Sequence, residues 1–179
     1  TNPRLDFNKI VSIKDKCVGI DQGTFLIAEI GLNHNGSMAM AKKLIDAAID
    51  AGADAVKLQS YKTKYRVAKH GKTSRYVEKV LGVEETDYEM LKKYELTKEQ
   101  TIELFDYAKE RTIIFSAPFD LESADELAEL GVDCYKIASF DLVNLPLIRK
   151  VASTQKPIII STGMSYLSEV QDALMEVAK

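Results

Sequence analysis

Three charged residues stand where a buried strand should be apolar. Glu29 lies within residues 26–30, Lys57 within 55–58 and Lys136 within 134–137, each surrounded by Ile, Val, Leu, Ala or aromatic neighbours. An unpaired charge in a dry core costs several kcal/mol or neutralises itself, so charges carried by three strands are expected to gather round a polar cavity. Strand side chains alternate faces, which points Lys57 the same way as Gln59 and Lys136 the same way as Ala138. Ser116 and Ser161 close two further apolar runs and are expected to bring hydroxyls to the same mouth. Two ammonium groups, hydroxyls and a carboxylate make chemistry for an anionic substrate such as a phosphate ester. A plain structural ion pair between Glu29 and Lys57 is the simpler reading. The recurrence on three strands of five, each time in the second half of the strand, favours the functional one.

A second candidate is the loop Gly31-Leu32-Asn33-His34-Asn35-Gly36, which packs two amides and an imidazole between glycines. Terminal glycines permit tight turns and close approach of a ligand, although an ordinary Asn-Gly turn has the same composition. His34 alone is no metal site, because the other histidine, His70, lies in a distant polar segment. Glycine-rich dinucleotide, Walker-type and Gly-x-Ser-x-Gly signatures are missing. Cys17 and Cys134 are too far apart in sequence to suggest a thiolate zinc motif or a disulfide framework. The 24 basic and 27 acidic residues leave a net charge of −3, which gives no general field for nucleic acid or anionic membrane. No apolar run approaches the roughly 18 residues of a membrane span, and residues 1–7 lack a signal-peptide pattern, so a cytoplasmic location is expected.

The elements that must position these residues alternate along the chain. Apolar runs at 25–30, 55–60, 113–117, 134–139 and 157–162 read as strands, and each precedes a helical pattern. Residues 38–51 form an amphipathic stretch that stops at Gly52. Thr97-Lys98-Glu99-Gln100 is a capping box, Asp120 opens a helix ending at Gly131, Asn144 and Pro146 open another, and Ser165 or Ser168 the last. Strands apolar on both faces, each followed by a helix, imply a parallel α/β sheet covered by helices. Residues 1–24 read as a leader or plug. Residues 61–95 form a polar insertion far longer than the roughly 2–6 residues of an ordinary βα loop, placed at the strand ends where α/β proteins put their ligands. The acidic stretches at Glu84-Glu85 and 126–129 read as solvated faces.

Together, Ile27-Ala28-Glu29-Ile30-Gly31-Leu32-Asn33-His34-Asn35-Gly36, Ala51-Gly52-Ala53-Asp54-Ala55-Val56-Lys57-Leu58-Gln59, Phe115-Ser116-Ala117-Pro118-Phe119-Asp120, Lys136-Ile137-Ala138-Ser139 and Ser161-Thr162-Gly163-Met164 resemble the sialic acid synthase family, which includes the legionaminic, pseudaminic and spore-coat sugar enzymes. The resemblance runs from about residue 18 to the end. It implies a (β/α)8 TIM-type barrel in which phosphoenolpyruvate condenses with the open-chain aldehyde of an N-acyl mannosamine-type sugar, releasing phosphate and giving a nine-carbon 2-keto acid. Residues 25–179 would supply the first five βα units of that barrel. By the resemblance, Lys57, Lys136, Ser139 and Ser161 hold the phosphate and carboxylate of phosphoenolpyruvate, Glu29 is the carboxylate beside the reacting centre, and Asp141 contacts the sugar. Asn33, His34, Gln59 and Ser116 complete the expected substrate-binding set, with Glu29 and Asp141 as the catalytic pair.

The resemblance also implies a divalent metal, Mn2+ or Mg2+, that polarises the aldehyde or activates water. Its histidine ligands would lie on later strands, beyond residue 179, as would an antifreeze-like domain that caps the partner's site in a homodimer. Ala117 stands where the family often has a hydroxyl, and Phe140-Asp141 where many sialic acid synthases have Gly-Glu, which resembles the pseudaminic branch. A deoxy-octulosonate or deoxy-heptulosonate phosphate synthase is the alternative within enzymes. Its phosphorylated acceptor would need a second basic cluster, for which Lys62, Lys64, Arg66, Lys69 and Lys72 are available. A non-catalytic truncated barrel, inactive alone and prone to pair through its open sheet edge, is the alternative outside enzymes.

Overall fold

A computed structural model of the chain describes residues 7–69 and 86–179. Two strands, β1 (Ile10–Ile13) and β2 (Lys16–Gly19), form an antiparallel hairpin. The main sheet contains β3 (Ile27–Gly31), β4 (Ala55–Ser60), β5 (Ile113–Pro118), β6 (Tyr135–Ile137) and β7 (Ile158–Ile160), all parallel and paired in chain order. That singly wound order is how a (β/α) barrel grows, whereas a doubly wound sheet reverses direction at a switch point. β4 matches its apolar run and β5 exceeds its run by one residue, whereas β6 and β7 are each three residues shorter than theirs, where backbone pairing stops before hydrophobicity does.

Between strands run α1 (Met38–Asp50), the short α2 (Thr63–Arg66), α3 (Asp87–Tyr94), α4 (Lys98–Ala108), α5 (Leu121–Leu130), α6 (Leu145–Ala152) and α7 (Leu167–Val177). The expected caps at three of these helices are made by side chains. Thr97 and Gln100 form the capping box of α4, Asp120 Oδ1 accepts from the Ser123 N–H at 2.8 Å, and Asn144 Oδ1 accepts from the Leu147 N–H at 3.3 Å. Gly52 and Gly131 follow α1 and α5 with φ of +80° and +68°, a left-handed turn that costs glycine no Cβ clash. The start of α7 differs from expectation. Neither Ser165 nor Ser168 caps it; Glu169 accepts from the Tyr166 N–H at 2.7 Å, while the Ser165 hydroxyl donates to the Ser139 carbonyl at 3.3 Å. Ser165 therefore ties two loops at the same end of the sheet rather than starting a helix.

The sheet has two dissimilar faces. Its outer face buries Ile30, Val56, Leu58, Ile114, Tyr135 and Ile137 against Ala41, Ile45, Leu104, Leu127, Leu147 and Ile148 of the helices. Its inner face is apolar only at the bottom, where Ala55, Ile113, Phe115 and Cys134 pack with Ile13 of the hairpin, flanked by Val18, Phe25 and Ile159. At the opposite end a third cluster joins Tyr61, Leu91, Ala117 and Phe119, with Leu32, Val67, Met90 and Ala138 around it. The described parts of the insertion are thus packed onto the C-terminal ends of the strands. Lys72, His70 and Glu84-Glu85 fall outside the described residues. Glu126 and Glu129, expected as a solvated face, are partners of Lys62 and Lys98, at 2.8 Å and 2.5 Å.

Candidate active site

Register aligns the chemistry before any side chain moves. Glu29 on β3 lies directly beside Lys57 on β4, which lies beside Phe115 on β5. Glu29 Oε2 and Lys57 Nζ are 2.5 Å apart, with the lysine side chain 11% exposed and the carboxylate 51% exposed. The ion pair of the simpler reading therefore exists, and it opens to solvent on the carboxylate side. Lys136 joins from β6. Burial pushes its ammonium below the ordinary lysine value, repulsion from Lys57 pushes the same way, and Glu29 opposes both. Its Nζ donates to the Ile137 carbonyl at 2.6 Å. One carboxylate thus faces two ammonium groups, a net positive site at the inner face.

A register shift between Glu29 and Gly31 bends β3 beside this group, as bulges do next to sites. Gly31 has φ +50°, and a Cβ there would stand 2.9 Å from Glu29 Oε1 and 3.3 Å from Gln59 Nε2. The missing side chain leaves room for both Glu29 and Gln59 above the strand. Asn33, exposed, donates from Nδ2 to the Glu29 carbonyl at 3.3 Å and stays at the rim.

Two of the expected ligand contacts lie away from this cluster. Ser116 pairs with Leu58 in register, faces the helices, and is fully buried with its hydroxyl 2.7 Å from that of Ser60. Its strand parity is opposite to that of Lys57, so it lies behind the sheet, and Ala117 takes the inward place beside Gln59. His34 has no exposed surface; its Nδ1 accepts from the Gly36 N–H at 3.0 Å, and its Nε2 is buried with no partner among the described residues. Burial lowers its pKa, with the Gly31 backbone opposing. The ring shapes the loop from within. Gly36 explains the second glycine: with φ +74°, a Cβ would come within 2.5 Å of the Lys93 carbonyl oxygen of α3.

Beyond β6 and β7 the remaining candidates line the same end. Ser139 begins the 3-10 turn Ser139–Asp141, and Ser161 follows β7 with its N–H donating to the Ile137 carbonyl at 3.1 Å. Asp141 is 9% exposed, and burial raises its carboxyl to about 6 against the opposing pull of Asn144 and Arg66. Its Oδ2 has no hydrogen-bond partner among the described residues.

Sequence reasoning undervalued Arg66, counted only as one basic residue among several in the insertion. Its guanidinium lies 4.0 Å from the centre of the Phe119 ring and 4.6 Å from that of Tyr61, and Nη1 donates to Gln59 Oε1 at 3.3 Å. Phe140 stacks on the same Phe119 at 5.5 Å and 13°. The described lysines of that group are engaged: Lys62 with Glu126 at 2.8 Å, Lys64 with Glu122 at 3.4 Å, and Lys69 over the Tyr88 ring at 6.0 Å. The signal available in sequence was the aromatic pair Tyr61 and Phe119 flanking two adjacent strand ends, since arginine stacks on such rings.

No group of three or more His, Cys, Asp or Glu able to hold a metal occurs among the described residues, and no helix there is long and apolar enough to cross a membrane. The described residues therefore do not fit the expected divalent ion, and no step below runs through one.

A singly wound parallel sheet of five strands, with a two-lysine, one-carboxylate cluster at its inner face, is the (β/α)-barrel architecture in partial form. Comparison with known proteins gives the family. The NeuB family profile matches residues 44–179, and the chain belongs to that family. It is 45% identical over 157 residues to the N,N'-diacetyllegionaminic acid synthase of Campylobacter jejuni, covering 87% of this chain and 47% of that protein. It is 38% identical to the pseudaminic acid synthase of Helicobacter pylori, covering 83% and 44%. Among solved structures, a sialic acid synthetase from Leptospira borgpetersenii in complex with citrate superposes with a TM-score of 0.79 at 28% identity, over 94% of this chain and 54% of that one. The chain spans about half the length of the relatives it matches.

Proposed function

We propose that this chain carries the phosphoenolpyruvate-gripping part of a nonulosonate synthase. In the proposed reaction, C3 of phosphoenolpyruvate attacks the aldehyde carbon of an open-chain N-acyl mannosamine-type aldose, forming the carbon–carbon bond. Water adds to the oxocarbenium-like C2, and collapse of the resulting phosphohemiketal releases inorganic phosphate and leaves a nine-carbon 2-keto acid. The single observation that carries this reading is Lys57 and Lys136 converging on Glu29 at the inner face.

The roles follow from charge and position. Lys57 and Lys136 neutralise the carboxylate and phosphate of the substrate, and the Ser139 and Ser161 hydroxyls at the strand ends orient it. Glu29, held by Lys57 yet half open to solvent, guides the water that reaches C2 and takes up its proton. Gln59, Asn33 and Asp141 face the acceptor side of the mouth. A divalent metal, with ligands outside residues 1–179, would supply Lewis-acid polarisation of the aldehyde. The names of the relatives, which are legionaminic and pseudaminic acid synthases and, at 33% identity, the N-acetylneuraminate-9-phosphate synthase of Mus musculus, support a nonulosonate product built from an N-acyl aldose. A truncated heptulosonate phosphate synthase from Thermotoga maritima, at 15% identity and TM-score 0.63, supports the fold alone. The pairing of Lys62 and Lys64 with glutamates argues against a lysine-built second phosphate site.

Phosphate release by the whole protein, with Mn2+ or Mg2+, against a panel of N-acyl and phosphorylated aldoses tests the reading. Phosphate should appear only when phosphoenolpyruvate and an N-acyl mannosamine-type sugar are both present. Release with none of the panel, or only with a phosphorylated acceptor lacking the N-acyl group, would overturn it.

A further inference from the structure

The insertion places one cation in the mouth that the proposed chemistry does not use. Arg66 is half-buried, and burial lowers its guanidinium below the usual arginine value while Tyr61 and Asp141 pull the other way. Its planar face lies against Phe119, and one nitrogen is tied to Gln59 Oε1. Among the described residues it forms no ion pair with a carboxylate. Asp141 lies within electrostatic reach of it, also buried, with Oδ2 unsatisfied. Phe140, which precedes Asp141 in the chain, leaves 47% of its surface exposed while stacked on Phe119. A buried carboxylate oxygen without a donor is costly until one reaches it, and the half-buried guanidinium beside it has more N–H groups than the one it gives to Gln59.

We infer that Arg66 is a specificity-determining residue that reads the N-acyl group of the acceptor sugar, its guanidinium donating to the amide carbonyl while the Asp141 carboxylate accepts the amide N–H. The inference rests on the function proposed above. An N-acyl group offers one acceptor, one donor and an apolar methyl, which match a guanidinium, a carboxylate and an exposed aromatic face. A phosphate would satisfy Arg66 but be repelled by Asp141, so the pairing of the two side chains selects the neutral amide over the dianion. The stacking on Phe119 fixes the fork in plane, which limits the entropy lost when the acceptor binds.

The test is steady-state kinetics of the whole protein with phosphoenolpyruvate and three acceptors. These are the N-acyl aldose used by the wild type, the same aldose with a hydroxyl in place of the N-acyl group, and the 6-phosphate of the N-acyl aldose. Acceptors that turn over too slowly are measured as competitive inhibitors. Arg66→Ala should raise KM for the N-acyl aldose about tenfold or more and leave KM for phosphoenolpyruvate and the constant for the hydroxyl analogue within about twofold. Arg66→Lys, which keeps the charge and stem but loses the fork, should recover only a minor part and carries the same readout if the alanine variant fails to fold. Equal losses with the N-acyl and hydroxyl aldoses, a changed KM for phosphoenolpyruvate, or full recovery by lysine would overturn the inference. Loss of a preference for the 6-phosphate would overturn it too, by showing that Arg66 reads phosphate. A wild type that turns over no aldose refutes the proposed function and this inference together, whereas an active wild type with unchanged discrimination in Arg66→Ala refutes the inference alone.

Discussion

Replacing Lys136 with methionine should move binding and stability in opposite directions. The lysine sits at the inner face with its pKa lowered by burial and by Lys57, so its charge is a cost to the folded state at neutral pH. For a lysine with a depressed folded pKa, the unfolded chain binds the proton more tightly, and stability rises as pH climbs through the folded value. Lys136→Met removes that cost without orphaning the Ile137 carbonyl, which also accepts from the Ser161 N–H at 3.1 Å. A gain of up to about 1 kcal/mol in unfolding free energy is expected, held down by the solvent that still reaches the side chain. Binding should suffer. A unit charge pair about 4 Å apart at an effective dielectric near 20 is worth about 4 kcal/mol. Desolvation and the remaining pull of Lys57 reduce that to about 2–3 kcal/mol, roughly 30- to 150-fold in Kd. Calorimetric titration of phosphoenolpyruvate and thermal unfolding of the same preparations measure both quantities. A variant that is less stable than wild type and binds phosphoenolpyruvate within about threefold of it would show that Lys136 is a structural residue and refute the reasoning.

Three further outcomes follow from the geometry. Ser116→Ala should leave acceptor and phosphoenolpyruvate kinetics unchanged, because the hydroxyl lies behind the sheet on Ser60, and should cost about 1 kcal/mol in denaturant unfolding. Gly31→Ala should lower kcat with little change in fold content by circular dichroism, since a Cβ 2.9 Å from Glu29 Oε1 displaces the carboxylate that guides water. Asp141, with its carboxyl raised to about 6, keeps its proton in the folded chain after the unfolded chain has lost it. Stability should therefore fall as pH rises from 3.8 to about 6, by about 3 kcal/mol at most for this group, and urea midpoints across that range should decline less steeply in Asp141→Asn.

How much of this was legible in the sequence depends on how local the signal is. The five strands, the capping box at Thr97, the cap at Asp120 and the left-handed glycines after α1 and α5 are set by neighbours within one turn of chain, and all are found. The Glu29, Lys57 and Lys136 cluster was readable because a charge in an apolar strand is conspicuous and strand parity is a rule of two. Ser116 was expected at the mouth from its place near the end of an apolar run, without that same rule, and one position along the strand exchanges the inner face for the outer, where its hydroxyl meets Ser60. The burial of His34 was not legible because composition does not tell whether a loop polar group points out or folds in, and here the ring is buried and accepts from the Gly36 N–H. Arg66 was missed because its partners, Tyr61, Phe119 and Gln59, belong to three segments brought together only by packing of the insertion on the strand ends.

The central claim is that the Lys57, Lys136 and Glu29 cluster is the phosphoenolpyruvate site. A crystal structure of the whole protein with phosphoenolpyruvate bound tests it most directly. Substrate carboxylate and phosphate oxygens should lie within hydrogen-bond distance of Lys57 Nζ and Lys136 Nζ, with Glu29 beside C2. Phosphoenolpyruvate seated elsewhere, with the Glu29–Lys57 pair closed and no substrate oxygen on either lysine, would contradict the account.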